Sequence, residues 1–311
     1  CYHLFKFRVL STIYLQNSAY YKKIGKLKSM KIVIDATFNP HGGSLIHLQE
    51  FILNLKQRLG AKNLLIYTKR ENITLIGREA LDACDVKIVK LPSINRLFWV
   101  MWIQFILPFR LMLLQYDVLF SPGNISPIIK TTKVKAQWVA TIGPFDKSVY
   151  MGLGFKDKLS LFLNKWLMLL SIKTSNMVIH ESQYSLEFLA KKYSLKDDQQ
   201  YLIECGKSTN FYHDLNTSEI RNEAIINMNS NDLLCVSHFY PYKNMERMVL
   251  AFFQFLDINP GSQIKLIICG LPIFKTYYAE ILSIVRGSKY SKNVVFAGGV
   301  NQTDLRFAYS Q

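Results

Sequence analysis

The sequence predicts an α/β chain of two parallel-sheet domains, the second of them incomplete. Three observations carry this. From Met30 onward, short apolar runs alternate with amphipathic helical periods, and repeated strand–helix–strand units build a parallel sheet covered on both faces. The alternation lapses between Gly206 and Asp232, in a polar stretch rich in Asn and Ser, and then restarts. The length of 311 residues suits two domains.

Taken in order, residues 1–29 read as a basic extension that is not part of the fold. They carry six Lys/Arg and no acid, lack a signal-peptide pattern, and precede "MKIVIDAT", which looks like a natural start. The first domain spans 30–205, with strand-like runs at 32–35, 64–67, 86–91, 118–120, 138–142, 177–180 and, more weakly, 201–203. Leu45, Leu48, Ile52, Leu55 and Leu59 fall on one helical face, and 159–170 is another helical run. The most apolar stretch, "LFWVMWIQFILPFRLMLL" at 97–114, is broken by Gln104, Pro108 and Arg110. A buried helix or pair of helices is the first reading, a patch dipping into a membrane surface the second, and a span the third. Residues 206–232 read as the interdomain connection. The second domain, 233–311, has strands at 233–236, 264–269 and 294–297, helices at 245–257 and 277–285, and a helix opening at Thr303. A sheet of this kind is expected to continue, so the chain reads as truncated.

The net charge is +16, with 38 Lys/Arg against 22 Asp/Glu, and the excess lies in the front of the chain. That suits anionic lipid, nucleic acid or a phosphorylated substrate. No aromatic–basic repeat, zinc spacing or recognition helix supports a nucleic-acid partner. Five scattered cysteines without a C-x-x-C fit free thiols in a reducing, cytoplasmic compartment. Trp99, Trp102, Lys156, Lys158, Lys165 and Trp166 are candidate anchors for peripheral contact with an anionic membrane, on the inner face of the plasma membrane.

"ECGKSTNF" at 204–211 contains the tail of a phosphate-binding loop. Tyr201 stands where the loop's first glycine must be, so the stretch reads as a strand turning at Gly206. Open α/β sheets bind ligands beyond the carboxyl ends of their strands, and the strand-to-helix turns are the better candidates. In "DATFNPHGGSLIHL", Asp35 ends a strand, and Gly42 and Gly43 allow close backbone approach before a helix N-terminus. In "LLCVSHFYPYKNMERMVLAF", Ser237, His238 and Lys243 occupy the loop, Asn244 reads as an N-cap, and an apolar stripe follows. A lysine at a helix N-terminus opposes the helix dipole and marks a diphosphate site, although without context the ordinary reading is an exposed lysine. In "IICGLP" and "VVFAGGV", Gly270, Gly298 and Gly299 leave room beside the backbone, with Val300 next in line. Ordinary turn glycines explain each one singly.

Together these motifs resemble the GT4 family of retaining glycosyltransferases, over Met30 to Gln311. The most specific part is "CVSHFYPYKNMERMVLAF", where Lys243 matches the family's phosphate-binding lysine, Ser237 stands for its Gly, His238 for its Arg and Asn244 for a second Gly. "HGGSLIHLQEF" resembles the N-terminal glycine loop, and "DVLFSPGN", "PFDKSVY" and "NMVIHESQYSLEFL" the acceptor domain. The resemblance implies the GT-B fold, two Rossmann-like domains facing a cleft. It implies Lys243 and His238 as catalytic residues, and Gly42, Gly43, Ser237, Lys243, Gly270, Gly299 and Val300 as donor-binding ones. Asn124 and Pro144 fall on the acceptor side. The partners implied are a nucleotide-diphosphate sugar and a sugar or lipid-linked acceptor, in cell-surface polysaccharide or glycolipid synthesis. No cofactor and no metal is expected, and no D-x-D occurs. Two departures stand out. Gly143-Pro144 replaces the family's His-Asp, and the E-x7-E segment would fall beyond Gln311, which puts activity of this chain in doubt. A sugar-nucleotide epimerase of the same architecture, or a non-catalytic partner of a transferase, are the alternatives.

Overall fold

The computed structural model describes residues 30–40, 42–91, 96–150, 154–204, 206 and 217–311. The basic extension 1–29 and most of "ECGKSTNF" lie outside the described residues. Two compact units divide the chain, Cys1–Ser208 and Thr209–Gln311.

The first unit runs β1 (Ile32–Ala36), α1 (Gly43–Leu59), β2 (Leu64–Thr68), α2 (Arg70–Ile76), α3 (Arg78–Leu81), β3 (Asp85–Ile88), α4 (Arg96–Leu113), β4 (Val118–Ser121), β5 (Val134–Val139), α5 (Phe155–Thr174), β6 (Met177–His180), α6 (Gln183–Tyr193) and β7 (Gln200–Leu202). Its seven strands are all parallel, in the order β3-β2-β1-β4-β5-β6-β7. Strand alternation sorts the core into two layers. Ile32, Ile34 and Ala36 pack with Leu48, Ile52 and Leu55 of α1 on one face. Val33, Leu119 and Val178 pack with Ile103 and Leu107 of α4 and Met168 and Ile172 of α5 on the other.

Three expectations for this unit need correction. The fifth strand was expected at 138–142 and lies at Val134–Val139. Lys135 and Gln137 interrupt its apolar pattern, yet both are buried. The Lys135 ammonium donates to the Pro127 carbonyl at 2.6 Å and to Thr174 Oγ1 at 2.7 Å, and burial pulls its pKa down to about 8. The third strand stops at Ile88, three residues early. The apolar 97–114 stretch is one helix with one face buried and the other open. Residues Trp102–Ile106 form a π turn in its middle, closed by the Leu107 N–H donating to the Trp102 carbonyl. Pro108 follows directly and has no N–H to give, which favours the wide turn. At an even 100° per residue the buried set Trp102, Ile103, Gln104, Leu107, Pro108 and Leu111 would spread over about two thirds of the helix circumference. The extra residue in the π turn gathers it onto one side.

The second unit runs α7 (Glu223–Ile226), β8 (Leu233–Val236), α8 (Met245–Ile258), β9 (Leu266–Cys269), α9 (Lys275–Arg286), β10 (Val294–Gly298) and α10 (Gln302–Ser310). Its strands are parallel, in the order β10-β9-β8. Phe239, Val249, Phe252, Ile268 and Ile281 form the core on one face, and Ile225, Ile267, Cys269 and Ala308 on the other. Part of the 206–232 stretch, read from sequence as a connection, is built into this unit. Asn222 Nδ2 donates to the Ala297 carbonyl at 2.9 Å, and the buried Asp304 accepts from the Arg221 N–H at 2.9 Å.

Candidate functional site

In the second unit, the carboxyl ends of β8, β9 and β10 place Ser237, Gly270 and Gly299 side by side. The ladder extends past the strands. The Ser237 N–H donates to Cys269 O at 2.9 Å, the Gly270 N–H to Gly298 O at 2.8 Å, and the Phe239 N–H to Leu271 O at 3.1 Å. Phe239 is the anchor that sequence reading missed. Its ring is buried against Tyr278 and Phe296, which fixes the loop between β8 and α8. The signal was one aromatic among several, with nothing local to single it out.

His238 is half-buried, and the Leu271 N–H donates to its Nδ1 at 3.0 Å. An acceptor at Nδ1 assigns the neutral ring's proton to Nε2. That bond holds the ring in place and ties this loop to the one after β9.

Lys243 closes a short turn, Pro241–Lys243, that leads into α8. Its side chain is exposed, with Nζ over the Tyr242 ring at 5.4 Å from the centroid. The expected N-cap is absent. Asn244 makes no side-chain cap bond and sits in the left-handed region at φ 54, ψ 42. Asn tolerates that region better than other residues that carry a Cβ, which explains how it stands where the resembled family has glycine. One amide of the first turn of α8 is already engaged, the Glu246 N–H donating to Tyr277 Oη at 3.4 Å.

Gly270 does not leave room for a ligand in the way expected. A Cβ on Gly270 would stand 1.9 Å from Ser237 O and 2.6 Å from Ser237 C, so the neighbouring backbone already fills that space. The Val300 side chain packs into the core beside Ile225 and Ala308. At Gly299 a Cβ would meet only the Leu271 side chain, at 2.9 Å. Gly298, at φ 71, has nothing within 4 Å of that position and is the open one. Asn301 caps α10, its Oδ1 accepting from the Asp304 N–H at 2.8 Å.

In the first unit the strand order reverses between β1 and β4, the place where such sheets hold ligands. Gly42 follows β1 at φ 53 and ψ −126, a conformation open to glycine alone, and Gly43 begins α1. Gly123 follows β4, where a Cβ would touch Phe38 at 3.0 Å, so the two loops are in contact at the reversal. Asn124, at φ 66, accepts the Ala140 and Thr141 N–H groups at 2.8 and 3.2 Å on Oδ1. That side chain is spent on holding the turn after β5. Pro144 lies in that turn, and its carbonyl accepts from Tyr150 Oη at 2.9 Å. Lys69 and Asn72 were also missed. Lys69 Nζ donates to Asn39 Oδ1, and Asn72 Nδ2 to the Ala36 and Phe38 carbonyls, fixing the loop that carries Gly42. Asp35, the last residue but one of β1, is almost fully buried. Burial lifts its pKa to about 6, against the two hydrogen bonds it accepts from Thr37.

Among the described residues, no three His, Cys, Asp or Glu side chains gather as a metal site. Cys84, Cys235 and Cys269 are free thiols.

The fold is GT-B. Two parallel Rossmann-like sheets with ligand-side loops of this kind match solved structures over nine tenths of the chain. The chain is similar to HepE from Anabaena, solved with UDP and glucose, at 16% identity and TM-score 0.61, covering 90% of this chain and 72% of that one. It is similar to a glycosyltransferase from Rickettsia africae at 13% identity and TM-score 0.58, with 90% and 70% covered. A UDP-N-acetylglucosamine 2-epimerase from Rickettsia bellii matches at 11% identity and TM-score 0.52, with 89% and 71% covered. No family model matches the sequence, and no curated protein does.

Proposed function

We propose that the chain is a retaining glycosyltransferase of the GT4 kind, moving a sugar from a nucleotide-diphosphate donor to the hydroxyl of a sugar or lipid-linked acceptor. The observation that carries this is the loop from Ser237 to Asn244. It combines an exposed lysine at the start of α8 with a histidine whose ring is held by the Leu271 amide. In this reading the bond from the sugar carbon to the diphosphate oxygen breaks and its electron pair leaves with the diphosphate. The acceptor oxygen bonds to the same carbon on the same face, and its proton goes to the departing phosphate. Lys243 and His238 Nε2–H stabilise the charge that develops on the leaving group, a task for preorganised donors. No metal takes part, and the synthesis served is that of a surface polysaccharide or glycolipid. HepE, bound to UDP, makes UDP the first nucleotide to try.

Lys243→Ala is expected to lower transfer at least about 100-fold, the loss of one such donor, with the melting temperature unchanged. Radiolabelled sugar transfer measured in EDTA, over a panel of UDP-sugars and hydroxyl acceptors, tests both parts. Undiminished turnover in the variant removes Lys243 from the site, and loss of wild-type turnover in EDTA removes metal independence. The epimerase reading has the Rickettsia bellii structure in its favour. Incubating the donor alone separates the two, since an epimerase converts UDP-sugar with no acceptor present.

A further inference from the structure

We propose that α4 and α5 together form a face of the first unit that docks on an anionic lipid surface. This stands independently of the glycosyl-transfer reading.

Each helix buries one side and exposes a second apolar side. On α5, Met168, Leu169 and Ile172 are buried against the sheet. Phe155, Leu159, Phe162, Leu163, Trp166 and Leu170, all 43% exposed or more, recur at i, i+4, i+7, i+8, i+11 and i+15. That is the spacing of a core-facing stripe, here turned to the outside. On α4, Trp102, Ile103, Leu107 and Leu111 pack on the same layer of the core, while Met101, Phe105, Phe109, Met112 and Leu113 are 44–72% exposed. The two helices are neighbours. The Arg96 guanidinium at the start of α4 donates to Ser160 Oγ on α5 at 2.6 Å. Exposed apolar faces on two adjoining helices mark an interaction site.

Charge selects the occupant. Lys156 lies beside one edge of the α5 stripe, and Lys158 and Lys165 beside the other, at 100° per residue. Asp157 is the single acid within the two helices, against six Lys and Arg. Lysines bracketing an aromatic stripe put their stems along the apolar surface and their ammonium groups at headgroup level. A protein partner has no need of cations on both edges. α4 is long and apolar enough by composition to cross a membrane, with a third of it buried. Its inner side is committed to the sheet, and Gln104 holds the Ser126 carbonyl and the Ile128 N–H at 3.1 and 3.0 Å. The helix therefore lies along the membrane surface. Two of the anchors suggested by sequence are wrong for this face. Trp102 is 2% exposed and Trp99 packs against the core, whereas Trp166 is 48% exposed and serves.

The test is flotation of the full chain with vesicles of phosphatidylcholine alone or with about 30% phosphatidylglycerol. Binding is expected only with the anionic lipid, and about 0.5 M salt should weaken it. Lys156→Glu with Lys158→Glu and Lys165→Glu should reduce the bound fraction at least about tenfold, and Phe105→Asp with Phe109→Asp should abolish binding. Circular dichroism checks that both variants stay folded. A blue shift of tryptophan emission on binding should vanish in Trp166→Phe. Equal binding to both vesicle types, or full binding by either folded variant, overturns the proposal. So does a wild-type dimer on gel filtration that the Phe105/Phe109 variant turns into monomer without any vesicle binding, because the face then belongs to a second copy.

Discussion

Asp35 shows how a single residue can oppose the stability of the sheet that carries it. Its carboxyl is 4% exposed at the ligand end of β1, with its pKa raised to about 6. The unfolded chain ionises this group near 3.8. Between those values the folded state holds the extra proton, so the contribution to stability is present at low pH and lost as pH rises through about 6. Replacement by Asn should raise the unfolding free energy at pH 8 by roughly 2–3 kcal/mol, with the gain shrinking towards pH 4. Urea titrations at the two values check this, and an equal difference at both would refute it. Such a charge was half legible. The sequence showed an acid near the end of an apolar strand, and only the packing showed how deeply it is buried there. Gly270 is the reverse case. Its glycine was legible and its reason was not, since the carbonyl that excludes a side chain comes from Ser237, thirty-three residues earlier.

At the scale of elements, α4 depends on a polar pin. Gln104 is buried in the π turn and bridges to the loop after β4, where Ser126 also bonds Ser171 of α5 and Gln137 of β5. Gln104→Leu keeps the shape and removes both bonds, leaving the Ile128 N–H without its acceptor. It should lower stability by about 1–3 kcal/mol, measurable as a shift of the denaturation midpoint at constant slope. No loss would mean that the network is dispensable. Strands that are apolar up to their last residue, such as β2 and β6, were read from the sequence to within a residue. β5 was misplaced, because its inward Lys135 and Gln137 look like loop residues until Pro127, Thr174, Ser126 and Ser175 are found around them. α4 was read first as buried, because an apolar run broken by Gln104, Pro108 and Arg110 does not show which of its sides the sheet covers.

For the whole molecule, the parallel-sheet architecture was legible because alternation of short apolar and amphipathic runs is a local property. The division into units was legible in outline alone. The polar composition of 217–232 hid the contacts of Asn222 and Ile225 with the second sheet. The residues expected from sequence to bind the donor all lie in the second unit except Gly42 and Gly43. Hydrogen exchange with and without UDP should therefore slow most at 236–245, 269–271 and 298–300, with β2 and β6 unchanged. Uniform slowing along the chain would argue against a site at those loops. The wide turn in α4 has a sharper implication. It acts as an insertion that sets the phase of everything after it. Deleting one codon there would let the wide turn close as an ordinary one, with Leu107 four residues after Trp102 instead of five. At 100° per residue Leu107 and Leu111 then stand about 40° and 80° from Trp102 and keep their side, so a frame-preserving loss of three bases should be better tolerated within that turn than elsewhere in the same helix.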